Sequence, residues 1–453
     1  MEKFDVIVVG AGTAGCLAAK TIGEQGLNAC LVERKNRKEI GEKICGDALG
    51  EHHLRTIGLE NPPGNEFEQR IEGVEIHSPD LETVFTIAYE DYVGYMLNRR
   101  LFGQWLLTKA LNAGANLLDS TNCLKPMIKG DSVTGVKLKN MKTGATVNLR
   151  GKIVLDASGF TGVIRRNLPE KMGIEKQIVP NDVEACYREI RQLKGETERT
   201  NYCKIFLNQK VAPGGYTWIF PKAGAKVNAG LGVCMKDGFP NPQKQFREHV
   251  LTQPMFDGSL LLKAGSWYDP TRKPLSNMVG DGVAILGDAA SLVNPIHGGG
   301  IGPSMLSGYL AGKTAVDALE KGNVNKTSLW SYNRKYMELY GAKQAGLDAF
   351  RMLLLSSDDE DLNYGMKHEL LKEQDILKAG LGEEFRFKIT DSAKRVFKGL
   401  RKLRFLNKLR LTVNLMKQIK THYIDYPETI EEYDPWKKAA DTLFNDAKSK
   451  LLE

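Results

Sequence analysis

The sequence lacks the features of membrane-spanning, disulfide-stabilised and metal-binding proteins. No stretch approaches the run of about 18 apolar residues that a helix needs to cross a bilayer. The N-terminus has neither the basic region nor the cleavage site of a signal peptide, so we expect a cytoplasmic protein. The seven cysteines form no C-x-x-C pair and their number is odd. A disulfide framework, a structural zinc site and an iron–sulfur cluster are therefore disfavoured.

Acidic residues are missing from one long stretch near the C-terminus. Residues 394–420 contain ten basic residues, more than the net charge of +8 of the whole chain. Apolar residues recur at helical spacing over residues 396–419, which predicts a basic amphipathic helix. Such a helix either packs its apolar face on its own protein or contacts an anionic membrane surface or phosphate head group. No nucleic-acid motif accompanies the charge, so we expect no nucleic-acid partner.

The N-terminal segment predicts a strand, a glycine-rich loop, a helix and a second strand. An apolar strand over residues 4–9 leads into G-A-G-T-A-G at residues 10–15. An Ala-rich helix is expected over residues 14–25, and a second strand over residues 29–32 ends in Glu33. This is the G-x-G-x-x-G pattern in the setting that a dinucleotide-binding unit requires.

Each part of this pattern has a mechanical reason. Gly10 permits the tight turn, Gly12 lets the backbone approach a pyrophosphate, and Gly15 allows the helix to pack closely on the strand. The helix that begins near Ala14 offers free N–H groups and a positive dipole end to phosphates. Glu33 can accept hydrogen bonds from ribose hydroxyls, which favours an unphosphorylated adenosine ribose. The unit alone does not separate FAD from NAD.

A second glycine-rich segment follows an apolar strand late in the chain. The strand is expected over residues 282–286 and leads into G-D-A-A, in which the aspartate is Asp288. Asn-Pro follows at residues 294–295 and G-G-G-I-G at residues 298–302. A helix rich in small residues is expected over residues 303–320. Its N-terminus can stabilise negative charge on a ligand.

Taken together, these segments resemble the glutathione-reductase-like flavoproteins, in the branch of p-hydroxybenzoate hydroxylase. G-D-A-A followed by P-x-x-G-x-G resembles the second FAD fingerprint of that branch. The resemblance implies that Asp288 binds the ribityl chain. It also implies that Gly300 and Ile301 face the pyrimidine end of the flavin. FAD is therefore the expected cofactor.

Two intermediate segments fit the same branch with departures. Residues 156–165 resemble its middle motif, D-G-x-x-S-x-x-R, but Ser158 replaces the motif's Asp and Gly162 its Ser. R-x-x-F at residues 99–102 matches another motif, with Gly103 in place of the usual Asp. Because that first Asp helps to place the nicotinamide donor in hydroxylases, we do not expect a hydroxylase-style NADPH site. The electron donor stays unassigned.

Two further segments narrow the resemblance to the geranylgeranyl reductase family. K-I-C-G-D lies at residues 43–47, and P-G-G-Y-T-W-I-F-P at residues 213–221 matches the family hallmark P-G-G-Y-x-W-x-F-P. The resemblance runs over most of the chain and is strongest to the archaeal members that saturate lipid chains. It implies hydride transfer from reduced FAD to isoprenoid C=C bonds, on geranylgeranyl chains of archaeal ether phospholipid precursors.

Three aromatic residues alternate in the hallmark segment. A turn at P-G-G followed by a strand from Tyr216 puts Tyr216, Trp218 and Phe220 on one face. Such a face forms either sheet core or the wall of an apolar channel, and the resemblance favours the channel. Protonation of an isolated alkene builds cationic character, which each aromatic face stabilises by roughly 0.5–2 kcal/mol.

Cys45 and His297 are the candidates for a reacting side chain. The resemblance brings the Cys45 loop to the flavin. The Cys45 thiol is therefore either a redox or proton-donating group, or an inert side chain that only packs. His297 either donates a proton or hydrogen-bonds its own loop. The sequence has no Ser-His-Asp order and no metal-ligand cluster.

The predicted site residues form two sets. The cofactor-binding set is Gly10, Gly12, Ala14, Gly15, Glu33, Arg34, Cys45, Gly46, Asp47, Ala48, Arg99, Leu124, Asp288, Gly300 and Ile301. The substrate-binding set is Pro213, Gly214, Gly215, Tyr216, Trp218, Phe220 and His297. Cys45 is also the catalytic candidate.

The expected fold is α/β, or α+β overall, with three regions. A discontinuous Rossmann-like FAD-binding domain of the glutathione-reductase and p-hydroxybenzoate hydroxylase type is expected over residues 1–75, 95–170 and 275–330. An antiparallel-sheet catalytic domain is expected over residues 76–94 and 171–274. Residues 331–453 are expected to be helical.

The expected function is FAD-dependent reduction of isoprenoid C=C bonds in a polyprenyl lipid, in the cytoplasm or at the inner membrane face. One rival is a flavin monooxygenase or halogenase, but Tyr216 and Phe220 depart from the halogenase W-x-W-x-I-P motif. The other rival is a non-catalytic prenyl-lipid carrier. An intact flavin fingerprint argues against a carrier, which has no need of a flavin.

Overall fold

The computed structural model describes residues 3–88, 94–370 and 403–452. Within these residues the chain forms three β-sheets of eight, seven and three strands, together with helices that cover them. The predicted mixed α/β fold is thereby confirmed. The first part of the predicted basic helix, residues 396–402, lies outside the described residues.

The largest sheet has a parallel centre. Its strands are β1 Lys3–Val9, β2 Ala29–Val32, β8 Asn116–Leu118, β9 Thr121–Lys129, β10 Ser132–Asn140, β11 Thr146–Asp156, β17 Val279–Gly280 and β18 Val283–Ile285. β1 pairs in parallel with β2 and β11, and β8 and β18 continue the parallel order outward. Such strands are buried on both faces, which is why β1 and β2 are continuous apolar runs.

The second sheet is antiparallel except for one pair. Its strands are β5 Gly73–His77, β6 Val84–Ala88, β12 Glu184–Gln192, β13 Tyr202–Phe206, β14 Thr217–Pro221, β15 Lys226–Cys234 and β16 Leu260–Asp269. The order is β16-β12-β15-β14-β13-β5-β6, and β13 and β5 form the parallel pair. β14 and β15 therefore lie at the centre of the sheet, where both are buried.

A third, antiparallel sheet lies next in sequence to the Cys45 loop. Its strands are β3 Ala48–Gly50, β4 Phe67–Ile71 and β7 Gly94–Leu97, in the order β3-β7-β4. The predicted boundary between residues 75 and 76 is wrong, because it cuts through β5. Gly73 already pairs with both Tyr202 and Ala88, so the strand begins before that boundary.

Most of the helices lie on the large sheet or in the C-terminal region, and one short helix, Pro242–Gln245, packs on β12 and β15 of the second sheet. They are α1 Thr13–Gly23, α2 His52–Thr56, α3 Arg99–Asn112, α4 Pro242–Gln245, α5 Ile301–Glu320, α6 Lys326–Tyr336, α7 Ala342–Leu355, α8 Asp359–Lys367, α9 Leu403–Ile424 and α10 Tyr433–Leu452. A π-helical turn at Met337–Gly341 joins α6 to α7. No helix in these described ranges is both long and apolar enough to cross a membrane.

The two glycine-opened helices, α1 and α5, pack with their backbones in contact. A Cβ atom on Gly308 of α5 would overlap the carbonyl oxygen of Ala14 in α1. One on Gly312 would press against Thr21. Small residues in α5 therefore allow the two helices to approach this closely.

A buried ion network holds α7 to the rest of the molecule. Both terminal nitrogens of Arg272 bind Glu175, at 2.7 and 3.0 Å. Arg351 of α7 binds Asp182 at 2.9 Å and Asp348 at 2.7 Å. Removing one partner of such a network typically costs about 3–5 kcal/mol, because a charge is left buried and unpaired. The network thereby fixes the position of α7.

The apolar face of α9 packs on α7. Phe405, Leu409 and Ile419 are buried, and Gly346 of α7 allows the two helices to meet at the backbone of Met416. The apolar face of residues 403–424 is therefore packed on the protein itself, which was one of the two alternatives for the basic helix. Basic side chains such as Arg410 lie on the exposed face.

Candidate active site

A cavity of about 800 Å³ lies at the carboxyl ends of β1, β2 and β11. This is the edge of a parallel sheet at which nucleotides bind. The predicted cofactor residues that line it are Gly10, Gly12, Ala14, Glu33, Arg34, Arg99, Leu124 and Asp288. The first glycine-rich loop and the second one thus meet at one cavity.

The turn at Gly10 and the close packing at Gly15 are as their spacing predicts. Gly10 has φ +104°, and a Cβ atom there would overlap the carbonyl oxygen of Ala157. A Cβ atom on Gly15 would overlap the carbonyl oxygen of Gly10, so Gly15 packs behind the loop. Among the described residues, no atom lies within 4 Å of a Cβ placed on Gly12. The backbone at Gly12 is therefore open to a pyrophosphate.

Glu33 is held at the cavity by two backbone N–H groups. Ala11 N donates to Oε2 at 2.8 Å, and Lys35 N donates to Oε1 at 3.0 Å. Each carboxylate oxygen keeps a lone pair for another donor. Glu33 can therefore accept hydrogen bonds from ribose hydroxyls without leaving its position.

Lys43 places a half-buried positive charge at the cavity, which no sequence pattern predicts. Its Nζ lies 2.7 Å from Oδ2 of Asp288, which is only 5% exposed. Burial alone would lower the pKa of Lys43, but the carboxylates of Asp288 and Asp269 raise it above its ordinary value. Gly300 lies behind this pair, because a Cβ atom there would be 3.3 Å from Asp288 Oδ1. The predicted ribityl contact is thus one half of an ion pair.

Arg99 has hydrogen-bonding capacity left over. Its Nε and Nη1 atoms are buried and have no hydrogen-bond partner among the described residues. Buried donors are normally satisfied, so two such nitrogens beside a cavity call for an acceptor on a ligand. The open backbone of Gly12, the anchored Glu33 and these nitrogens fit FAD, which carries phosphates, hydroxyls and ring carbonyls.

Ser158 and Gly162, the two departures from the middle motif, both have a local structural role. The Ser158 hydroxyl donates to Asp156 at 2.6 Å and accepts from Val163 N at 2.9 Å. Gly162 has φ +51°, a conformation that favours glycine over the motif's serine. Both residues therefore shape the loop itself.

A second cavity, of about 470 Å³, follows along the same loop, because residues 43–44 line the first cavity and residues 45–48 line the second. The predicted residues that line it are Cys45, Gly46, Asp47, Ala48, Gly214, Gly215, Tyr216, Trp218, Phe220, His297, Gly300 and Ile301. Pro213 is not among the described residues that line it, and its predicted substrate contact stays a prediction. Its carbonyl accepts from Cys234 N at 3.0 Å, so Pro213 is turned toward β15 and supports the turn.

The walls of this cavity are apolar. One wall is the face of the second sheet, with Val74, Ile76, Phe85 and Ile205. The opposite wall comes from the C-terminal helices, with Leu347, Phe350, Leu353, Phe405, Leu409, Val413 and Met416. α9 thus contributes to the cavity, which its amphipathic pattern alone could not reveal.

Tyr216, Trp218 and Phe220 share one face, as predicted. The ring centroids of Tyr216 and Trp218 lie 6.0 Å apart, and those of Trp218 and Phe220 lie 6.3 Å apart. The Tyr216 hydroxyl donates to the His297 carbonyl at 2.6 Å, and the Trp218 indole donates to Asn228 Oδ1 at 3.0 Å. Because the polar tips are satisfied, the rings present an apolar aromatic wall to the cavity.

Asn228 and Lys222, which the sequence analysis missed, hold the Cys45 loop against this wall. Asn228 Nδ2 donates to Cys45 O and to Asp47 Oδ2, each at 2.8 Å. Lys222 Nζ lies 3.2 Å from the same Asp47 oxygen. A Cβ atom on Gly46 would lie 3.0 Å from the Phe220 ring. The only sequence signal for Asn228 is a polar residue within a central, apolar strand.

The two candidate reacting side chains are both uncharged at neutral pH. Burial raises the pKa of the Cys45 thiol, so it keeps its proton. Burial, with the charge of Lys343, lowers the pKa of His297 to about 4. His297 Nδ1 accepts from Gly299 N at 3.1 Å. For His297, the loop-bonding alternative is the one that the structure shows.

Comparisons with known proteins agree with this geometry. Residues 5–211 match the model of the FAD dependent oxidoreductases, and residues 182–265 match the geranylgeranyl reductase catalytic domain. A digeranylgeranylglycerophospholipid reductase from Sulfolobus acidocaldarius is 36% identical over 450 residues, covering 99% of each chain. One from Methanothrix thermoacetophila is 30% identical over 84% of this chain and 94% of its own.

Solved structures show the same fold. A geranylgeranyl bacteriochlorophyll reductase-like protein from Thermoplasma acidophilum superposes with a TM-score of 0.75, at 22% identity, covering 91% of this chain and all of its own. A flavin-dependent brominase superposes with a TM-score of 0.64, at 20% identity, covering 84% of this chain and 94% of its own. At these identities the likeness concerns the fold alone.

The two cavities and these matches define the class: the chain is an FAD-dependent oxidoreductase. The relative that matches it end to end defines the family more narrowly. The chain belongs to the digeranylgeranylglycerophospholipid reductases, within the geranylgeranyl reductase family.

Replacement of Glu33 by Ala tests the adenosine end of the cofactor site. We expect Glu33→Ala to weaken FAD binding about 10- to 100-fold, because a charged hydrogen-bond acceptor is lost. Turnover at full occupancy should change much less, since the prediction places Glu33 at the end of FAD remote from the flavin ring. Fluorescence titration with FAD measures the affinity. Glu24→Ala, an exposed glutamate one residue past α1, is the control, and equal affinities in both variants would refute the assignment.

Proposed function

We propose that this chain reduces the C=C bonds of geranylgeranyl chains in archaeal ether phospholipid precursors. The observation that carries the proposal is the Cys45 loop, which joins the cofactor cavity to an apolar cavity with an aromatic wall. A cavity of about 470 Å³ lies within the usual range of ligand sites. At about 0.8 kcal/mol per buried carbon, each isoprene unit gains about 4 kcal/mol on entering it.

Several residues of this chain would hold the cofactor. In the proposal, Glu33 binds the adenosine ribose, Gly12 and the N-terminus of α1 bind the pyrophosphate, and Asp288 binds the ribityl chain. Gly300, at the N-terminus of α5, adjoins the pyrimidine end. Bound FAD supplies the two electrons for the reduction as hydride. The fixed charge of Lys43 and the dipole of α5 favour the negative charge that a reduced flavin carries.

The aromatic wall favours protonation of the alkene, the step that accompanies hydride transfer. An isolated alkene gains cationic character at one carbon when the other carbon is protonated. The faces of Tyr216, Trp218 and Phe220 stabilise such charge by about 0.5–2 kcal/mol each, and the wall excludes the water that would capture it. In this proposal the protonated thiol of Cys45 is part of the wall beside the flavin.

A lipid assay tests the reaction itself. With FAD and a chemical reductant, the protein should convert a digeranylgeranyl glycerophospholipid into products that gain two hydrogens for each reduced C=C bond. Mass spectrometry of the extracted lipid measures the gain, and a lipid with saturated straight chains is the control. Incorporation of oxygen or halide, or recovery of unchanged lipid from the flavin-loaded protein, would contradict the proposal.

The aromatic wall is tested by Trp218→Leu. We expect turnover to fall about tenfold at matched FAD occupancy, because leucine keeps an apolar side chain but lacks the aromatic face. Trp330→Leu is the control, since Trp330 is equally buried on α6 but lies outside both cavities. Both variants should lose stability by a few kcal/mol. If only the melting temperature of Trp218→Leu changes, while its products and rate stay normal, Trp218 is core.

We also propose that α9 contacts an anionic membrane surface through its exposed face. Asn407, Arg410, Asn414 and Lys417 form an exposed stripe along this helix, opposite the apolar face that packs inward. Each basic residue near an anionic surface contributes about 1 kcal/mol. Such contact brings the protein to the membrane in which a prenyl lipid resides.

Sedimentation with phosphatidylglycerol vesicles tests the membrane contact. The protein should sediment at low salt and be released at high salt, because the attraction is screened. Charge reversal at Arg410 and Lys417 to Glu should weaken binding about tenfold or more. Lys129→Glu with Lys142→Glu, two exposed lysines elsewhere, is the matched control. Equal binding of both double variants would rule out α9 as the contact.

A further inference from the structure

Two carboxyl groups meet at the junction of the two cavities. Glu184 begins β12 and Asp269 ends β16, and the two residues are direct partners across the antiparallel pair. Both line the apolar cavity. Asp269 also lies near Lys43 and Asp288 of the cofactor site, and it accepts a hydrogen bond from the Cys186 thiol at 3.7 Å. The pair therefore spans the place where cofactor and substrate cavities adjoin.

The Glu184 carboxyl is enclosed but not paired. The residue is 7% exposed, and no described residue forms an ion pair or hydrogen bond with its carboxyl. Asp269 faces it from β16 and Arg351 from α7. The guanidinium of Arg351 is already bound to Asp182 and Asp348. The cavity is thus the remaining direction in which this carboxyl can find a partner.

The remaining titratable groups around Glu184 are weak acids. Cys186 lies two residues along the same strand, Cys234 is its partner on β15, and Tyr216 lies on the cavity wall. Burial, followed by the charge of Asp269, raises the pKa of Glu184 to about 8. Burial, opposed by Lys43, raises the pKa of Asp269 to about 6. At neutral pH Glu184 therefore carries a proton and its partner is mostly ionised.

We propose that the Glu184 carboxyl donates the proton that the C=C bond takes up during reduction, and that Asp269 passes a proton back to it. This inference rests on the proposed function. The substrate loses its π bond and gains two C–H bonds. One forms with the hydride of the reduced flavin, and the other with the proton from the O–H bond of Glu184. The resulting carboxylate recovers a proton from water by way of Asp269.

Glu184 is a better proton source than the two candidates from the sequence. A general acid works best when its pKa lies near the operating pH. The Cys45 thiol, with a pKa raised by burial, is a weaker acid than Glu184. His297, with a pKa lowered to about 4, carries no extra proton at neutral pH. Glu184 alone of the three is both protonated and ready to ionise.

The replacement Glu184→Gln tests the proposal, because glutamine keeps the size and polarity but has no acidic proton. At matched FAD occupancy we expect turnover on the geranylgeranyl lipid to fall about 100-fold or more. In the unaltered protein, turnover should fall as the pH rises through about 8, where Glu184 ionises. Asp269→Asn should move this fall to lower pH, because removal of the neighbouring charge makes Glu184 easier to ionise.

Thermal unfolding of the FAD-loaded protein gives a readout that does not depend on turnover. Between pH 4.5 and about 8, Glu184 is protonated in the folded protein and ionised in the unfolded chain. The folded state binds the extra proton, so this group makes stability fall as pH rises through that window. Glu184→Gln should therefore match the unaltered protein near pH 4.5 and melt at a higher temperature near pH 8.

Two controls make the outcomes separable. Glu189 is a buried glutamate on the opposite face of β12, and its carboxylate binds Tyr187 and Arg191. Glu189→Gln should keep normal turnover per folded molecule. Cys45→Ser should not change the pH, near 8, at which turnover falls. Turnover of Glu184→Gln within about threefold of normal, or an unmoved pH profile, would overturn the inference alone. An unaltered protein that reduces no polyprenyl lipid would overturn the proposed function and this inference with it.

Discussion

The side-chain amide of Asn228, with Lys222 beside it, ties the two halves of the active site together. It donates to the backbone of Cys45 and to Asp47, and it accepts from the indole of Trp218. Asn228 is fully buried, and a buried polar group left without its partner costs about 1–3 kcal/mol. The loop beside the cofactor and the aromatic wall beside the substrate therefore keep one relative position.

The surroundings of this junction differ in charge on its two sides. The cofactor side holds the half-buried charge of Lys43, the N-termini of α1 and α5, and two nitrogens of Arg99 that have no partner among the described residues. The substrate side is lined mostly by aromatic and apolar side chains and by groups that are uncharged at neutral pH, such as the Cys45 thiol, and Asp269 lies at its edge toward the cofactor cavity. A reaction that moves a hydride toward the substrate side and a proton after it suits this division.

The local parts of this site could be predicted from the sequence, and the parts formed by strand pairing could not. Gly10 and Gly15 are recognisable because the backbone contacts that require them lie within one loop and its helix. The aromatic row follows from alternation along a single strand. Asn228 meets Cys45 across 183 residues of sequence, and Glu184 meets Asp269 only because β12 pairs with β16.

In the helical region, too, the local structure could be predicted from the sequence but its tertiary contacts could not. The spacing of apolar residues predicted an amphipathic helix, and the structure gives α9 over Leu403–Ile424. Periodicity shows that a helix has an apolar face, but not which surface that face covers. Only the fold shows that Phe405, Leu409 and Met416 face the substrate cavity.

Because α9 and α7 line the side of the cavity opposite the second sheet, the fitting of the lipid is separable from the chemistry. The reacting groups are placed by β12, β14, β15 and the Cys45 loop, whereas Leu409 and Val413 shape the far side of the cavity. Exchanges of side chains on one face of one helix can lengthen, narrow or bend the space for the chain, while the hydrogen bonds around Asn228 stay as they are. A lineage can in this way adapt one catalytic core to isoprenoids of different length and branching.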